Sequence, residues 1–282
     1  MLRSLYSGIS GLSSHQTQMD VVANNIANVN TVGYKSSRVT FSDIYSQTVQ
    51  PASSPDASGS TAGVNPQQIG LGVKVASIDV LHTRGATEYT GSPLDLSIDG
   101  DGFFVISDGL GDYYTRAGNF YLDANNNLVT SSGMFVQGWN SPDPATTTVP
   151  TTPTLPLENI QILGDYTDIG ISDTGEVVGI NNTTQTKEVI GRICLANFNN
   201  QAALEKTGNN AFMANSNSGT AVLTFPGVLG ASSLSPSSLE MSNVDLAREF
   251  TEMIVTQRGF QANSRVITTS DEILQELVNL KR

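Results

Sequence analysis

The chain opens on a three–four repeat. Leu2, Leu5, Ile9, Leu12, Gln16, Met19, Ala23 and Ile26 alternate steps of three and four, the spacing of a heptad seam on an amphipathic helix. Such a helix would run about 40 Å at 1.5 Å per residue. Two features weaken it: Gln16 takes a core position, and Gly8 and Gly11 each cost up to about 1 kcal/mol relative to Ala. The C-terminus repeats the pattern through Leu246, Phe250, Met253, Gln257, Phe260, Ser264, Ile267, Asp271, Leu274 and Val278. Ser242 with Asp245 three residues on predicts a capping-box start. Arg248, Glu249 and Glu252 are placed on the wet outer face, and Lys281 and Arg282 lie where the helix dipole favours cations. Neither stripe closes alone, and polar residues in a seam set register and partner number at a cost in stability. The two ends are therefore expected to pair.

Between the ends the period changes to two. Val73–Val80, Leu94–Ile98, Phe103–Ile106, Asn119–Asp123, Asn127–Thr130, Met134–Trp139, Ile160–Leu163 and Glu176–Ile180 read as short strands separated by Asx- and Gly-rich turns. The run Phe198–Gly208 carries room for one short helix. The predicted fold is mixed, mainly β: an all-β central domain with a helical stalk formed by pairing of the N- and C-terminal α-helices. Its expected parts are residues 1–35, the N-terminal stalk helix; 36–72, an extended connecting segment; 73–230, the β-rich outer domain; and 231–282, a linker and the C-terminal helix. Ser, Thr, Pro and Gly mark Gln50–Gly70, Asn140–Pro156 and Val228–Ser238 as linkers.

Composition sharpens this. Charged residues are 14% and hydrophobic ones 38%, so the surface is polar but sparsely charged. That suits protein–protein contact, because charge is depleted at interface cores, although an ordinary secreted β-protein has the same composition. A net charge of −12 without a basic stripe speaks against nucleic acid. Cys194 is alone in an apolar run, so no intramolecular disulfide or Cys-based metal site is expected, only a small buried side chain. The N-terminal run mixes Ser, Gly and Gln into every apolar turn, unlike a secretory signal, and no stretch approaches the ~20 apolar residues of a membrane span. Composition by itself would leave the chain in the cytoplasm.

Catalytic and metal motifs are not found. Asp99–Gly102 and Asp123–Asn127 carry oxygen ligands at alternate positions, but an EF-hand loop would need Gly where Leu128 stands and Glu where Met134 stands. Asx-rich turns explain them better. His15 and His82 have no partner at ligand spacing. Gly70–Gly72 lacks the rest of a phosphate loop, no G-x-S-x-G occurs, and the N-x-T patterns at Asn181 and Asn182 read as a polar turn. No enzyme activity, cofactor or metal is expected.

The stretch VVANNIANVNTVGYK, Val21 to Lys35, crowds amides into the end of the first helix. Asn24 and Asn28 are four apart and expected to share a helix face. In a packed assembly they can bond neighbouring copies, and a buried amide left unpaired costs roughly 1–3 kcal/mol, which penalises a wrong register. Asn30 and Gly33 are expected to end the helix, with Gly33 in a left-handed C-terminal position.

These residues carry a resemblance. SGISGLSSHQTQMDVVANNIANVNTVGYK is similar to the N-terminal signature of the bacterial flagellar rod and hook axial proteins, and LEMSNVDLAREFTEMIVTQRGFQANSRVITTSDEILQELVNL to their C-terminal one. IGLGVKVASID, LDLSIDGDGFFVI, YTRAGNFYLDANNNLVTSSGMFVQGW and LANFNNQAALEKTGNNAF resemble that family's β domain. The resemblance implies a structural subunit that self-assembles into a tube. Its partners would be many copies of itself, rod proteins at the proximal end, hook cap and hook–filament junction proteins at the distal end, and the flagellar type III export apparatus, with no nucleic acid and no membrane insertion. It also implies an extracellular place in the hook or basal body, reached without a cleaved signal peptide. The closing run from Glu249 to Arg282 is most like the short-form hook members. The length is short for a hook subunit, which makes the distal rod members the alternative, and a carbohydrate-binding or adhesive β-protein a more distant one. Assembly contacts are expected at Leu5, Ile9, Leu12, Met19, Asn24, Asn25, Ile26, Asn28, Thr31, Gly33 and Tyr34, and at Leu246, Phe250, Met253, Gln257, Phe260, Gln261, Asn263, Ile267, Leu274 and Val278. The helices would line an inner tube and the β domain its outer layer, since heterologous contacts that do not close into a ring generate an open helical tube.

Overall fold

A computed structural model describes residues 2–54, 62–141, 157–162, 164, 166–227 and 232–280. Of the expected linkers, 55–61, 142–156 and 228–231 lie outside the described residues, as do Leu163 and the terminal Lys281 and Arg282. The chain divides into two compact units. A helical unit comprises Met1–Ala27, Ser37–Val80 and Asp245–Arg282, and a β unit comprises Asn28–Ser36 and Leu81–Val244. The boundaries expected at 35, 72 and 230 follow composition, whereas these units follow packing.

In the helical unit, helix α1 (Leu2–Ala27) and helix α2 (Leu246–Leu280) pair antiparallel. Ser4 Oγ lies 3.4 Å from Ser270 Oγ. A Cβ added to Gly8 would stand 3.1 Å from Ile267 Cγ1, one on Gly11 2.6 Å from Asn263 Nδ2, and one on Gly259 2.7 Å from His15 Nε2. On α1 the seam is thus a heptad displaced by one residue from the expected one, whereas on α2 only alternate positions shift. It runs through Ser4, Gly8, Gly11, His15, Val22 and Asn25 on α1 and through Glu249, Thr256, Asn263 and Ser270 on α2. Met253, Phe260, Ile267 and Leu274 are half-buried beside it, as the repeat predicts. Gln16, Gln257, Ser264 and Asp271 do not interrupt the seam; they are exposed. Glu249, placed on the wet face by its charge, is buried. The physical reason is close approach. Small side chains let two helix backbones come together, and the glycines that lower helix propensity are what make room for Asn263, Ile267 and His15.

Helix α2 starts three residues later than the expected capping box implies. Asp245 Oδ1 accepts from the N–H groups of Ala247 (2.9 Å) and Arg248 (3.4 Å), so Asp245 is the N-cap. Ser242 Oγ accepts from Val244 N instead. Alongside α1 runs an antiparallel ribbon of Ser37–Asp43 with Val73–Val80. Ser10 Oγ accepts from Val73 N at 3.3 Å and Ser14 Oγ donates to Val73 O at 3.5 Å, small residues again allowing close contact. A second ribbon pairs Ser46–Gln50 with Gln67–Gly70, so strands lie within the segment expected to be an extended connection.

The β unit is built on an antiparallel sheet in the order Tyr166–Ile171, Glu176–Asn181, Lys187–Ile193, Phe135–Asn140, Phe103–Ser107, Asp112–Thr115, Ala211–Met213 and Glu205–Gly208. Its central strand, Phe103–Ser107, is buried on both faces and therefore reads as a continuous apolar run. Phe104 and Ile106 join Leu96, Phe120, Val136, Ile160, Leu195 and Leu234 in the main core. On the other face Phe103 packs edge-on against Phe198, Phe212 and His82. The stretch Val228–Ser238, expected as linker, holds the strand Ser233–Pro236, which pairs with Leu96–Asp99 and sends Leu234 into the core. The short helix expected in Phe198–Gly208 is one 3-10 turn, Gln201–Ala203.

Candidate assembly surfaces

Asn25 is the amide that matters inside the helical unit. It is buried, its Nδ2 donates to Ser37 O (2.8 Å) and to Glu249 Oε2 (3.2 Å), and its Oδ1 accepts from Ser37 N (3.0 Å). One side chain therefore joins α1, the first ribbon strand and α2. Burial raises the Glu249 carboxyl pKa, and the bond from Asn25 opposes that shift. Charge alone pointed Glu249 to solvent; its place four residues before Met253, which the repeat puts at the seam, is the signal that could have found it.

The other expected amides behave differently. Helix α1 ends at Ala27, so Asn28 lies past its end and does not share a helix face with the exposed Asn24. Asn28 instead belongs to a turn of the β unit, where its Oδ1 accepts from Thr31 Oγ1 at 3.1 Å. Gly33 has a left-handed φ of 68° but is not the helix C-cap. Its N–H donates to Glu240 O at 2.8 Å, and a Cβ there would meet Ala117 N at 2.6 Å. Tyr34 is buried, with Lys206 Nζ 4.7 Å from its ring centroid.

The remaining expected contacts lie on the helix flanks. Leu5, Leu12, Met19 and Ile26 are half-buried and Ile9 is 53% exposed, all one residue off the seam. On α2, Leu246, Phe250 and Ile254 form one apolar flank beside the α1 seam. Val255, Val266, Ile273 and Leu277 form a second on the opposite side, as about 100° per residue requires. Gln261 is exposed near the first flank, whereas Asn263 is in the seam. Because Ser4 faces Ser270, α2 from Gln275 on runs past the start of α1, which leaves Val278 65% and Leu280 82% exposed. Burying one such side chain is worth about 1.5–3 kcal/mol, and both flanks and the overhang leave such side chains exposed in the single chain. Sequence reasoning missed the second flank, because its residues fall outside a single heptad stripe.

Among the described residues no cluster of His, Cys, Asp and Glu could hold a metal, and no helix is long and apolar enough to cross a membrane. Cys194 is buried, and burial pushes its thiol pKa up to about 12.

Three family descriptions match the chain in sequence order. Residues 5–35 match the flagella basal body rod protein family, residues 97–179 the flagellar hook protein FlgE/F/G D1 domain, and residues 235–280 the flagellar basal body rod FlgEFG protein C-terminal region. A flagellar basal-body rod protein FlgG from Bacillus subtilis is 51% identical to this chain over 284 aligned positions, covering all of both chains. The chain belongs to the flagellar rod and hook axial protein family. The family's two rod matches coincide with α1 plus its following turn and with the last β-unit strands plus α2, and its D1 match with the core strands of the β unit. A rod protein FlgG from Caulobacter vibrioides is 36% identical over 281 positions, covering 99% of this chain and all of the relative. The flagellar hook protein FlgE of Borreliella burgdorferi is 32% identical, but over an alignment of 445 positions against the 282 residues here. Members of this family are structural components of the flagellar axis.

Proposed function

We propose that the chain is the distal rod protein of the flagellar basal body, a subunit that polymerises through its paired terminal helices. The end-to-end match to a basal-body rod protein at 51% identity carries this reading. The hook relative aligns only with long stretches that have no counterpart here, so the hook expectation drawn from the closing run gives way to the rod. The two apolar flanks of α2 support polymerisation. In a tube each subunit has neighbours on both sides, and heterologous contacts on two flanks continue indefinitely where one flank would stop at a pair. Rod proteins on one side and hook proteins on the other are the neighbours this position implies. Export through the flagellar type III channel is the route consistent with it.

Immunogold labelling of isolated flagella decides the position. Gold confined to the basal-body rod supports the proposal, and gold along the curved segment outside the cell sinks it. Phe250→Asp and Val266→Asp, one on each flank, test the surface. Each should abolish polymerisation and motility while leaving the helical circular dichroism of the monomer intact, and normal assembly in both would remove the flanks from the mechanism.

A further inference from the structure

Three charges that the flanks do not use are sealed inside the β unit. The side chains of Lys35, Arg116 and Glu240 are 0%, 1% and 0% exposed. Lys35 Nζ donates to Glu240 Oε1 at 2.6 Å and to Thr83 O at 2.7 Å. Arg116 Nη1 donates to Gly100 O at 2.8 Å and reaches Glu240 Oε2 at 3.4 Å, with its guanidinium 5.1 Å from the Phe103 ring centroid. Gly85 N donates to Glu240 Oε1 at 3.0 Å. One carboxylate thus answers two cations, and in sequence it lies 205 residues from the first and 124 from the second.

The segment that brings Glu240 also closes the unit in other ways. Ser238–Glu240 pairs with Thr87–Tyr89, and Ser233–Pro236 pairs with Leu96–Asp99. Asn243 Oδ1 accepts from Ser36 N at 2.8 Å while its Nδ2 donates to Leu81 O at 2.8 Å. Sequence-distant strands converge on residues 233–244.

We infer that Glu240 is a folding checkpoint: the β unit cannot close on Lys35 and Arg116 until residues 233–244 dock. A cation without a counter-ion is strongly disfavoured in a low-dielectric interior. Before Glu240 arrives, both cations hold their segments in water, Arg116 cannot settle over Phe103, and the aromatic cover of the central strand on that face stays incomplete. The unit then forms in one late step rather than growing from its early strands. For a chain delivered unfolded to a growing tube, the consequence is that the β unit stays loose until its own last segment is present. The inference itself concerns folding alone and stands or falls apart from the rod assignment.

Pulse-labelling hydrogen exchange during refolding of the full-length wild-type chain tests the order of events. Amides of Phe103–Ser107 should gain protection in the same kinetic phase as those of Ser238–Glu240, and earlier protection of Phe103–Ser107 would overturn the inference. Two variants test the cause, with refolding followed by Trp139 fluorescence. Glu240→Gln should refold at least about tenfold more slowly, because the contact is already made in the transition state. The combined variant Lys35→Met, Arg116→Met, Glu240→Leu carries no buried charge and should refold within about threefold of wild type. A wild-type rate in Glu240→Gln, or a combined variant as slow as Glu240→Gln, overturns the role of charge. If Glu240→Gln does not fold at all, recovery in the combined variant supports the inference and its failure overturns it.

Discussion

Replacing Asn25 by Ala should destabilise the helical unit far more than replacing its neighbour Asn24. Asn25 makes two bonds with the Ser37 backbone and one with the Glu249 carboxylate. Neutral bonds contribute about 1 kcal/mol each and those to a charged group about 1.5–3 kcal/mol, so the gross loss is roughly 3–5 kcal/mol. Ala gains at most about 0.7 kcal/mol in helix propensity over Asn, and water entering the gap recovers part of the rest. The net expectation is about 2–4 kcal/mol, with a smaller loss for Asn24→Ala because that side chain is exposed. Urea unfolding followed by circular dichroism at the helical band reads the difference, since both long helices belong to this unit. Asn25→Asp adds a check on mechanism. It keeps the acceptor for Ser37 N but removes the donors and sets a second carboxylate against Glu249, so its deficit should shrink as pH falls and the pair is neutralised. Equal stability of the Asn24 and Asn25 variants to within about 0.5 kcal/mol would refute the bridging role and return the amides to simple helix termination.

Three further outcomes follow from the same geometry. Burial, with the nearby Lys35, Arg116 and Lys206 charges adding to it, lowers the His82 pKa from 6.5 to about 4. Between those values the unfolded chain binds a proton that the folded one does not. The stabilisation is therefore complete above pH 6.5 and lost as pH falls through about 4, on the order of 2–3 kcal/mol; His82→Phe should flatten that part of the pH–stability curve, and an unchanged slope would contradict it. Glu249 has the opposite sign, since its raised pKa makes the charged form a burden that grows as pH rises. Glu249→Gln should accordingly gain stability over wild type between acid and neutral pH in the same urea titration. Gly11→Ala and Gly259→Ala should each forfeit most of a propensity gain of about 1 kcal/mol, because the ends of Asn263 and His15 must swing aside, and the full gain in either would show that these side chains do not fill the space at the glycines.

Hydrophobic periodicity by itself determined that two long helices stand at the ends, that the middle is β, and that both helices need partners. Those statements depend only on local repeats of 3.5 and 2 residues, which the chain carries openly. Motif strings further determined the family, because they recur in sequence order along nearly the whole chain. Tertiary structure alone decided which face of each helix does the pairing. The largest apolar residues marked the stripe through Ile9 and Phe250, yet contact falls one residue away on Gly8, Gly11, Asn25 and Glu249. A period shows where apolar side chains line up. The seam is set by which side chains fit between the two helices, and three glycines make room there for His15, Asn263 and Ile267. The same limit hid the strand Ser233–Pro236 inside an apparent linker and made Lys35 and Glu240 look like surface charges. Pairing across a hundred residues or more leaves no local periodic trace, and only the folded chain brings such partners together.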